Sequence, residues 1–441
     1  MRSVALAAAL VAAVLLPGEP LGIGVTLVFL LVLAAAATRM RRTVDSVLLG
    51  ALAVALSIVP AIRDAPWLVA LDLVAAWSLL TAAVSGPTLV AALAPVLRLR
   101  ELPQLAPEVP HGVAPVVRGS VLGGALLTPF GLLFWSGDAA FAELGQRIPV
   151  PSIDSLPGRV IAGVLVFLAA VGLALAAQRP LRAAVPRIPN RLSQWEWGIP
   201  LVLLNALFLA FVVVQVAVLF GGREHVLQTS GLTYAEYARQ GFWQLLAAAA
   251  LTFVVIGAAW TFADAPRRSQ RIALRLLLGF LCALTMVVVV SALRRLLLYE
   301  EAFGLTRLRF VAEAAALWFG AVFALLITAG VFAEVRRQLA RIVMVGTAVA
   351  LLAFSLLNPD GWIAERNVER WRETGRIDVA YLQTLSADAV PAIATLPPKL
   401  SDPALAPLAS RLADEEPWSS YNSSRAHARS VLASASAAQL E

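Results

Sequence analysis

The chain has very few of the residues that build metal sites, disulfides and charged surfaces. Its 441 residues include one cysteine and three histidines, and only 14% are Asp, Glu, Lys or Arg. Cys282 has no partner for a disulfide within the chain. His111, His225 and His427 are scattered, and none has a second His or Cys at ligand spacing. We therefore expect no metal, no other cofactor and no Cys/His catalysis.

Lysine is nearly absent, and Lys399 is the only one. The use of arginine instead, together with the high alanine content, is typical of a GC-rich bacterial genome. The formal net charge is +7, but the arginines lie in short loops between apolar runs and form no single basic face. We therefore expect no nucleic-acid binding. A phosphate-binding loop is also missing from the sequence, which excludes an ATPase on this chain alone.

Apolar residues make up 60% of the chain, which is more than a soluble protein can bury. Soluble domains carry about 25% charged residues, so lipid must surround most of this chain. A membrane-spanning helix needs roughly 20 mainly apolar residues. The predicted fold class is all-α: a polytopic membrane protein of about eleven transmembrane helices (1–357) with a small C-terminal helical soluble domain (358–441). The candidate spans are residues 3–17, 21–38, 44–62, 67–97, 118–136, 159–178, 197–220, 241–263, 273–296, 310–332 and 341–357.

Two of these segments need separate interpretation. Arg2 and the Ala/Leu/Val run after it resemble a signal peptide, but the run ends in Leu-Leu-Pro-Gly-Glu-Pro without a small-residue cleavage site. We interpret it as a span, with cleavage as the alternative. The fourth segment contains Ser85-Gly86-Pro87, and we expect its helix to kink there because proline removes a backbone donor.

The arginines of the loops indicate the side of the membrane that each loop occupies. Cytoplasmic loops are enriched in Arg and Lys, and here each cluster follows an even-numbered span. A cytoplasmic N-terminus and an extracytoplasmic domain after residue 357 satisfy all of the clusters. We expect this orientation in the plasma membrane of a bacterium. The clusters are Arg39, Arg41 and Arg42; Arg98 and Arg100; Arg179, Arg182, Arg187 and Arg191; Arg267, Arg268 and Arg271; and Arg336, Arg337 and Arg341.

Positive charge also collects at one predicted outer boundary, where it is normally depleted. Four arginines flank the turn between the ninth and tenth spans, with acidic residues among them. One interpretation is an ion-paired hinge that holds the two spans together. The other is a site for an anionic ligand or lipid headgroup, because guanidinium groups match phosphate and carboxylate. The residues are Arg294, Arg295, Arg307 and Arg309, with Glu300, Glu301 and Glu313.

Two further outer loops contain candidates for the same site. Asp138 lies at the start of the loop that follows the fifth span, and Thr233 and Glu236 have the spacing of a capping box. One interpretation of Glu236, Tyr237 and Arg239 is the start of an interfacial helix anchored among the headgroups. The other places these three side chains in an outward-facing site.

The segment after the last span has the signals of a capped helix. Asn358 suits the N-cap, Pro359 the first helical position and Gly375 the stop. Asn367 lies on the apolar face of this helix, so it is either a satisfied core amide or a ligand contact. The apolar face consists of Ile363, Ala364, Val368 and Trp371, and shorter helices are expected from Asp378, from Ser386 or Asp388, from Asp402-Pro403 and from Pro417 to about Ser434. The whole candidate outer-face site is Asp138, Glu236, Tyr237, Arg239, Arg294, Arg295, Glu300, Arg307, Arg309, Asn358, Asp360, Arg366, Asn367 and Arg370.

Four stretches of sequence, taken together, resemble one family. They are residues 130–141, 231–242, 294–309 and 358–391. The chain resembles the bacterial polytopic membrane proteins catalogued as domain of unknown function four-one-seven-three, with its relative four-one-five-three. The resemblance covers about residues 115–440, and the first four spans match only in hydropathy. It implies the architecture and carries no established activity.

Two function hypotheses remain open. The favoured one is a non-enzymatic envelope protein that senses, scaffolds or presents its outer helical cap to a partner. The alternative is a membrane transferase or flippase that acts on a lipid-linked or anionic substrate at the outer leaflet. The first outer loop, residues 17–20, is short, which counts against an enzyme. The expected partners are the lipid bilayer and either an anionic lipid headgroup or another envelope protein.

Overall fold

The structure is a computed structural model, and it describes residues 7–12, 20–37, 43–85, 166–167, 169–170, 194–220, 242–414 and 416–438. Helices dominate these ranges, which contain no β-strand, so the all-α prediction is confirmed. Several predictions lie outside the described residues. These are the span 118–136, most of the span 159–178, the kink at Pro87, the capping box at Thr233 and the candidate site residues Asp138, Glu236, Tyr237 and Arg239.

Seven helices within the described ranges are long and apolar enough to cross a membrane. They correspond to predicted spans, and they make the chain a multi-pass membrane protein. The total of about eleven spans stays a prediction. Preceded by the shorter apolar helix α1 (Ile23–Ala37), the seven are α2 (Val44–Ile62), α3 (Pro66–Ser85), α4 (Gln194–Phe220), α5 (Phe242–Phe262), α6 (Arg268–Phe303), α7 (Arg307–Val331) and α8 (Ala333–Leu356).

The outward surfaces of these helices are apolar, as lipid contact requires. On α4, Leu203 and Leu207 are 64% and 65% exposed, and on α5 Val254 is 64% exposed. A row of large exposed hydrophobic side chains on one helix would be unfavourable in water. The described helices therefore belong in a bilayer.

Helix α6 is longer than its predicted span of residues 273–296. It runs for 36 residues from Arg268 to Phe303, which is about 54 Å at 1.5 Å per residue. The hydrocarbon core of a bilayer is only about 30 Å thick. The apolar span of α6 ends at Leu297, so the last turns of the helix carry Glu300 beyond it.

The chain divides into two compact units, which are described separately. The first comprises Met1–Ala183 and Ser410–Ala433, and the second comprises Ala184–Ala409 and Ser434–Glu441. In the first unit, α2 and α3 form the main helix pair. In that unit the Thr26 hydroxyl of α1 donates to the Ser57 carbonyl oxygen of α2 at 2.6 Å. The predicted domain boundary at residue 358 stays a prediction.

In the second unit, α6 packs against α4, α5 and α7. Phe253 of α5 stacks on the fully buried Phe323 of α7 with ring centroids 4.2 Å apart. The Asn205 amide of α4 donates to the Leu277 carbonyl oxygen of α6 at 3.2 Å and to that of Leu201 at 2.7 Å. This amide joins two membrane helices, as polar residues in spans commonly do.

After α8 the chain forms short helices. The predicted capped helix is confirmed as α9, which Asn358 caps and Gly375 ends in the left-handed conformation. The helix expected from Asp402-Pro403 begins at Pro398 instead, and the one expected from Pro417 is a 3-10 turn followed by a separate helix. The elements are α9 (Pro359–Thr374), α10 (Val379–Leu382), a 3-10 turn (Ala387–Ala389), α11 (Val390–Ile393), α12 (Pro398–Leu412), a second 3-10 turn (Trp418–Ser420) and α13 (Ser423–Ala438).

Candidate functional site

The sequence Asn358-Pro359-Asp360-Gly361 builds the turn from α8 into α9. Asn358 has φ 58° and ψ 70°, and it is the only non-glycine residue with positive φ in the described ranges. Its side-chain oxygen accepts a hydrogen bond from the Gly361 amide at 3.2 Å. A methyl group on Gly361 would lie 2.3 Å from the Asn358 side-chain nitrogen. A larger residue at position 361 would displace the capping side chain, and Pro359 suits the first position of the helix because it has no N–H to leave unpaired there.

Asp360 is the fully buried centre of an ion pair, named here the Asp360 clamp. Arg307 Nε of α7 donates to Asp360 Oδ1 at 2.8 Å, and an Arg307 terminal nitrogen donates to Oδ2. The backbone amide of Ser386 donates to Oδ2 at 2.9 Å. Such two-pronged charged hydrogen bonds are strong and directional. The clamp therefore holds the start of α9 against the start of α7.

Tyr381 of α10 reinforces this junction. Its hydroxyl oxygen accepts a hydrogen bond from the Arg307 backbone amide at 2.7 Å. Burial raises the pKa of the Tyr381 phenol, and the Arg307 contacts oppose that rise. The phenol stays neutral at physiological pH and acts as a structural contact.

Asn367 holds the turn between α6 and α7. Its amide nitrogen donates to the carbonyl oxygens of Leu305 and Ile363, each at 2.8 Å. Gly304 has φ 82°, and a methyl group there would lie 2.7 Å from the Asn367 side-chain oxygen. Asn367 is thus a satisfied amide, which supports the core interpretation over the ligand contact.

The four arginines of the predicted hinge have separate environments. Arg307 pairs with Asp360. Arg309 donates to the Gly304 carbonyl oxygen, and its guanidinium lies 4.2 Å from the centre of the Tyr299 ring. Arg294 is exposed and Arg295 is partly buried. An anion site shared by all four stays a prediction.

A cavity of about 840 Å³ lies among the ends of α6, α7, α8 and the whole of α9. Its walls are largely apolar and aromatic. Phe310 of α7 and Phe354 of α8 stack there with ring centroids 5.2 Å apart. The apolar lining consists of Leu297, Leu305, Phe310, Ala314, Leu317, Phe354, Leu357 and Trp362.

Charged side chains also line this cavity, which we name the α9 cavity. Of the candidate site residues, it brings together Glu300, Arg366 and Arg370. Arg294, Arg295, Arg307, Arg309, Asn358, Asp360 and Asn367 are not part of its lining. The charged lining residues are Glu300, Glu313, Arg366, Glu369, Arg370 and Glu373.

The surroundings of Glu300 at this cavity disfavour the ionised form of its carboxyl group. Its Oε1 atom is buried and has no hydrogen-bond partner among the described residues. Burial first, and then the negative charge of Glu313, raise the pKa of Glu300 to about 7, against the opposing effect of Arg309. Near neutral pH this carboxyl group therefore gains or loses a proton easily.

Sequence reasoning named Arg366 and Arg370 on the α9 wall of the cavity, but it missed Trp362, Glu369 and Glu373 beside them. Trp362, Arg366, Glu369 and Glu373 recur at helical spacing along α9, on a face that avoids the buried Ile363. Arg366 pairs with Glu369 at 2.9 Å and lies 5.2 Å from the Trp362 ring centre. The helical spacing of these residues indicates that they share one face of α9. Nothing in the sequence indicates that this face lies opposite the ends of α6, α7 and α8.

A second buried cluster in the first compact unit, named here the Arg425 clasp, was also missed. The Arg425 side chain is only 6% exposed, and it pairs with Asp64 and with Glu416, each at 2.8 Å. It also donates to the backbone oxygens of Leu21 and Ser420. Asn422 donates to the Pro60 carbonyl oxygen at 2.8 Å. The clasp joins residues near position 420 to the ends of α1 and α2.

No group of three or more His, Cys, Asp and Glu side chains in the described ranges is placed to hold a metal ion. In comparisons with known proteins, residues 4–396 match the family model described as Domain of unknown function (DUF4153). This is the second of the two families that the sequence motifs resemble. No curated protein and no solved structure matches the chain.

Proposed function

We propose that this chain, which belongs to the DUF4153 family, is a non-enzymatic membrane sensor or scaffold that binds an amphiphilic ligand in the α9 cavity. One observation carries the proposal. Helix α9 forms a wall of the cavity through Trp362 and Arg366, and Asp360 anchors it both to Arg307 of α7 and to the Ser386 amide of the tail. A ligand in the cavity therefore contacts the element from which the tail begins, and its presence can be passed on to a partner protein.

The size and lining of the cavity support an amphiphile. Sites for small molecules commonly have volumes of about 300–1,000 Å³ and mainly apolar walls with a few placed polar groups. The α9 cavity has about 840 Å³, with aromatic walls from Phe310 and Phe354 and charged residues such as Glu300 and Arg370. An alkyl chain fits the apolar part, and a polar head fits beside the charged residues.

The binding proposal can be tested on the purified full chain in lipid nanodiscs with a photoactivatable dodecyl probe. We expect crosslinks to concentrate in peptides of residues 297–317 and 354–374. Ala314→Phe fills the cavity and should abolish this labelling. Ala321→Phe is the matched control, because Ala321 is exposed on the same helix and does not line the cavity. Labelling spread evenly over lipid-facing helices, and equal in both variants, would contradict the proposal.

The side of the membrane on which α9 lies is part of the same proposal. The arginine pattern supports a tail outside the cytoplasmic membrane of a bacterium, with a cytoplasmic N-terminus. A Cys282→Ser background removes the only cysteine. A cysteine introduced at the exposed Ser423 should then react with an impermeant maleimide in intact cells. Reaction only after lysis would reverse the orientation.

The alternative function is a transferase or flippase acting on a lipid-linked or anionic substrate. It is favoured by Glu300 and Glu313, which lie close enough for one to raise the pKa of the other, in a cavity that also contains Arg366 and Arg370. A carboxyl group with a pKa near neutrality suits general acid or base catalysis. Mass spectrometry of bound lipids distinguishes the two: a binding protein returns its ligand unchanged, whereas a transferase converts it.

A further inference from the structure

We propose that the α9 cavity selects amphiphiles with a positively charged head, such as an ammonium group, held by Glu300 and Glu313 against the aromatic wall. The inference rests on the proposed binding function and names the ligand class for the same cavity. It reverses the charge expected from the arginine-rich sequence around residues 294–309.

The charge of the lining supports a cationic head. Four carboxylates and two guanidinium groups line the cavity. Of the two arginines, Arg366 is already paired with Glu369 at 2.9 Å and covers the Trp362 ring. An anionic head would therefore meet more negative than positive charge. A cationic head would reduce the repulsion among the carboxylates.

The arginines that suggested an anion site are engaged elsewhere. Arg307 forms two hydrogen bonds to the fully buried Asp360. Arg309 donates to the Gly304 carbonyl oxygen and lies over Tyr299. Neither side chain lines the cavity. Binding an anion through them would require breaking contacts that hold α6, α7 and α9 together.

Glu300 offers an acceptor to the ligand. Its Oε1 is buried and has no hydrogen-bond partner within the described part of the chain. A buried acceptor without a donor is unfavourable. A protonated ammonium group would donate an N–H to it, and a quaternary ammonium group, which has no N–H, would instead compensate its negative charge. The pKa of Glu300 is raised to about 7 even with Arg309 nearby, so the site disfavours negative charge until a further cation arrives.

The aromatic wall provides the second recognition element. Phe310 and Phe354 stack at 5.2 Å, and both line the cavity. Aromatic faces attract ammonium groups, and sets of aromatic residues commonly bind quaternary ammonium ligands. The wall and the carboxylates thus favour the same head.

The head of the amphiphile must supply the selectivity, because its alkyl chain cannot. An alkyl chain that enters the cavity from a bilayer leaves surroundings as apolar as those it joins. Its transfer therefore does not distinguish one amphiphile from another of the same chain length. The charged and aromatic groups at the cavity are what remain to make that distinction.

The experiment is a competition among three dodecyl amphiphiles that differ only in the head. The full chain in nanodiscs carries the photoactivatable probe, and dodecyltrimethylammonium, dodecyl maltoside or dodecyl phosphate is added at a low mole fraction. We expect the ammonium compound to displace the probe at least about tenfold better than the other two. Labelling of the apolar part of α8 that does not line the cavity, residues 342–350, serves as the internal reference for non-specific partition.

Variants assign the effect to the carboxylates. Glu300→Gln and Glu313→Gln keep the side-chain shape and should reduce displacement by the ammonium compound more than displacement by the uncharged maltoside. Glu365→Gln is the matched control, because Glu365 is exposed on α9 and does not line the cavity. If both cavity variants keep the full preference, the inference is overturned.

The possible outcomes distinguish a failure of the inferred selectivity for a cationic head from a failure of the proposed binding function. If none of the three compounds displaces the probe, the proposed binding function fails. If dodecyl phosphate displaces it best, the binding function stands and the cationic head is refuted. If all three are equal, the cavity has no selectivity for the head, and the inference is again refuted.

Discussion

The Asp360 clamp and the Arg425 clasp both join the C-terminal part of the chain to the ends of membrane helices, but they bury opposite charges. In the clamp the carboxylate is completely buried and Arg307 is 27% exposed. In the clasp the arginine is buried at 6% exposure, and Asp64 and Glu416 are 19% and 12% exposed. The side chain with least access to water is the one whose charge must be compensated inside the protein.

The two clusters also differ in what they position. The clasp is completed by backbone oxygens of Leu21 and Ser420, so it joins chain segments to one another. The clamp anchors α9, whose neighbouring face lines the α9 cavity. The Arg425 clasp thus only joins chain segments, whereas the Asp360 clamp also positions a wall of the candidate binding site.

The largest effect is expected from Asp360→Asn. The amide keeps the shape but loses the charge that compensates Arg307, and it also weakens the acceptor for the Ser386 amide. Breaking a buried pair costs about 3–5 kcal/mol, and we expect about 3 here because Arg307 reaches water. Thermal unfolding of the purified full chain in detergent measures the loss. Glu365→Gln, on the exposed face of α9, is the control and should change stability little.

A smaller effect is expected from Arg425→Met. Methionine preserves much of the buried volume, and the two acids left behind retain access to water. Glu416 also keeps its contact with Arg429 at 3.0 Å. We expect a loss of about 2 kcal/mol. If Arg425→Met destabilised the chain more than Asp360→Asn, exposure would not be the property that ranks these two clusters.

Gly361→Ala should act through the cap of α9. The added methyl group would lie 2.3 Å from the Asn358 side chain and displace it. Loss of an N-cap costs about 1 kcal/mol. Gly320→Ala in α7 is the matched control, because a methyl group there meets nothing within 4 Å. We expect the control to unfold at the same temperature as the original chain or slightly higher, since alanine is the better helix former.

An effect that depends on pH is expected from the titration of Glu300. Its pKa is raised to about 7 in the folded chain, so the folded state holds a proton that the unfolded state loses at lower pH. Its contribution to stability is therefore complete in acid and is lost as pH rises through about 7. The charged groups that act on its pKa are Glu313 and Arg309 of α7. The charged residues of α9 in the same cavity are Arg366, Glu369, Arg370 and Glu373.

Glu300→Gln should remove this part of the pH dependence. The melting temperatures of the variant and the original chain, compared at about pH 5 and about pH 8, test it. The difference in melting temperature between the two proteins should change with pH, because the original chain should lose more stability than the variant at the higher pH. A difference that stays constant would place the titrating group elsewhere.

Local signals in the sequence were sufficient for α9. Asn358, Pro359 and Gly375 act on their own neighbours in the chain, so the start and end of the helix could be read without a fold. The prediction from Asp402-Pro403 failed because Pro398 already starts that helix, and proline within it did not stop it. Caps are reliable when one signal dominates, and less so when several prolines compete as possible first residues.

The partners of the charged side chains could not be predicted from neighbouring residues in the sequence. Arg307 and Asp360 lie 53 positions apart, and Arg425 and Asp64 lie 361 apart. Arg307 had Glu300, Glu301 and Glu313 much nearer in the sequence. Choosing among these acids requires knowing which helix faces meet, and that depends on the packing of α6, α7 and α9 together.

The sequence by itself therefore determined the all-α membrane architecture, the cap of α9 and the apolar face that α9 buries, because each follows from composition or from neighbours within a few turns. Tertiary structure alone decided that Arg307 meets Asp360, that Asn367 closes the turn at Gly304, and that the cavity is lined by more carboxylates than guanidinium groups. These outcomes depend on long-range packing, which sets the distance between charges and so decides which of them are compensated and which remain for a ligand.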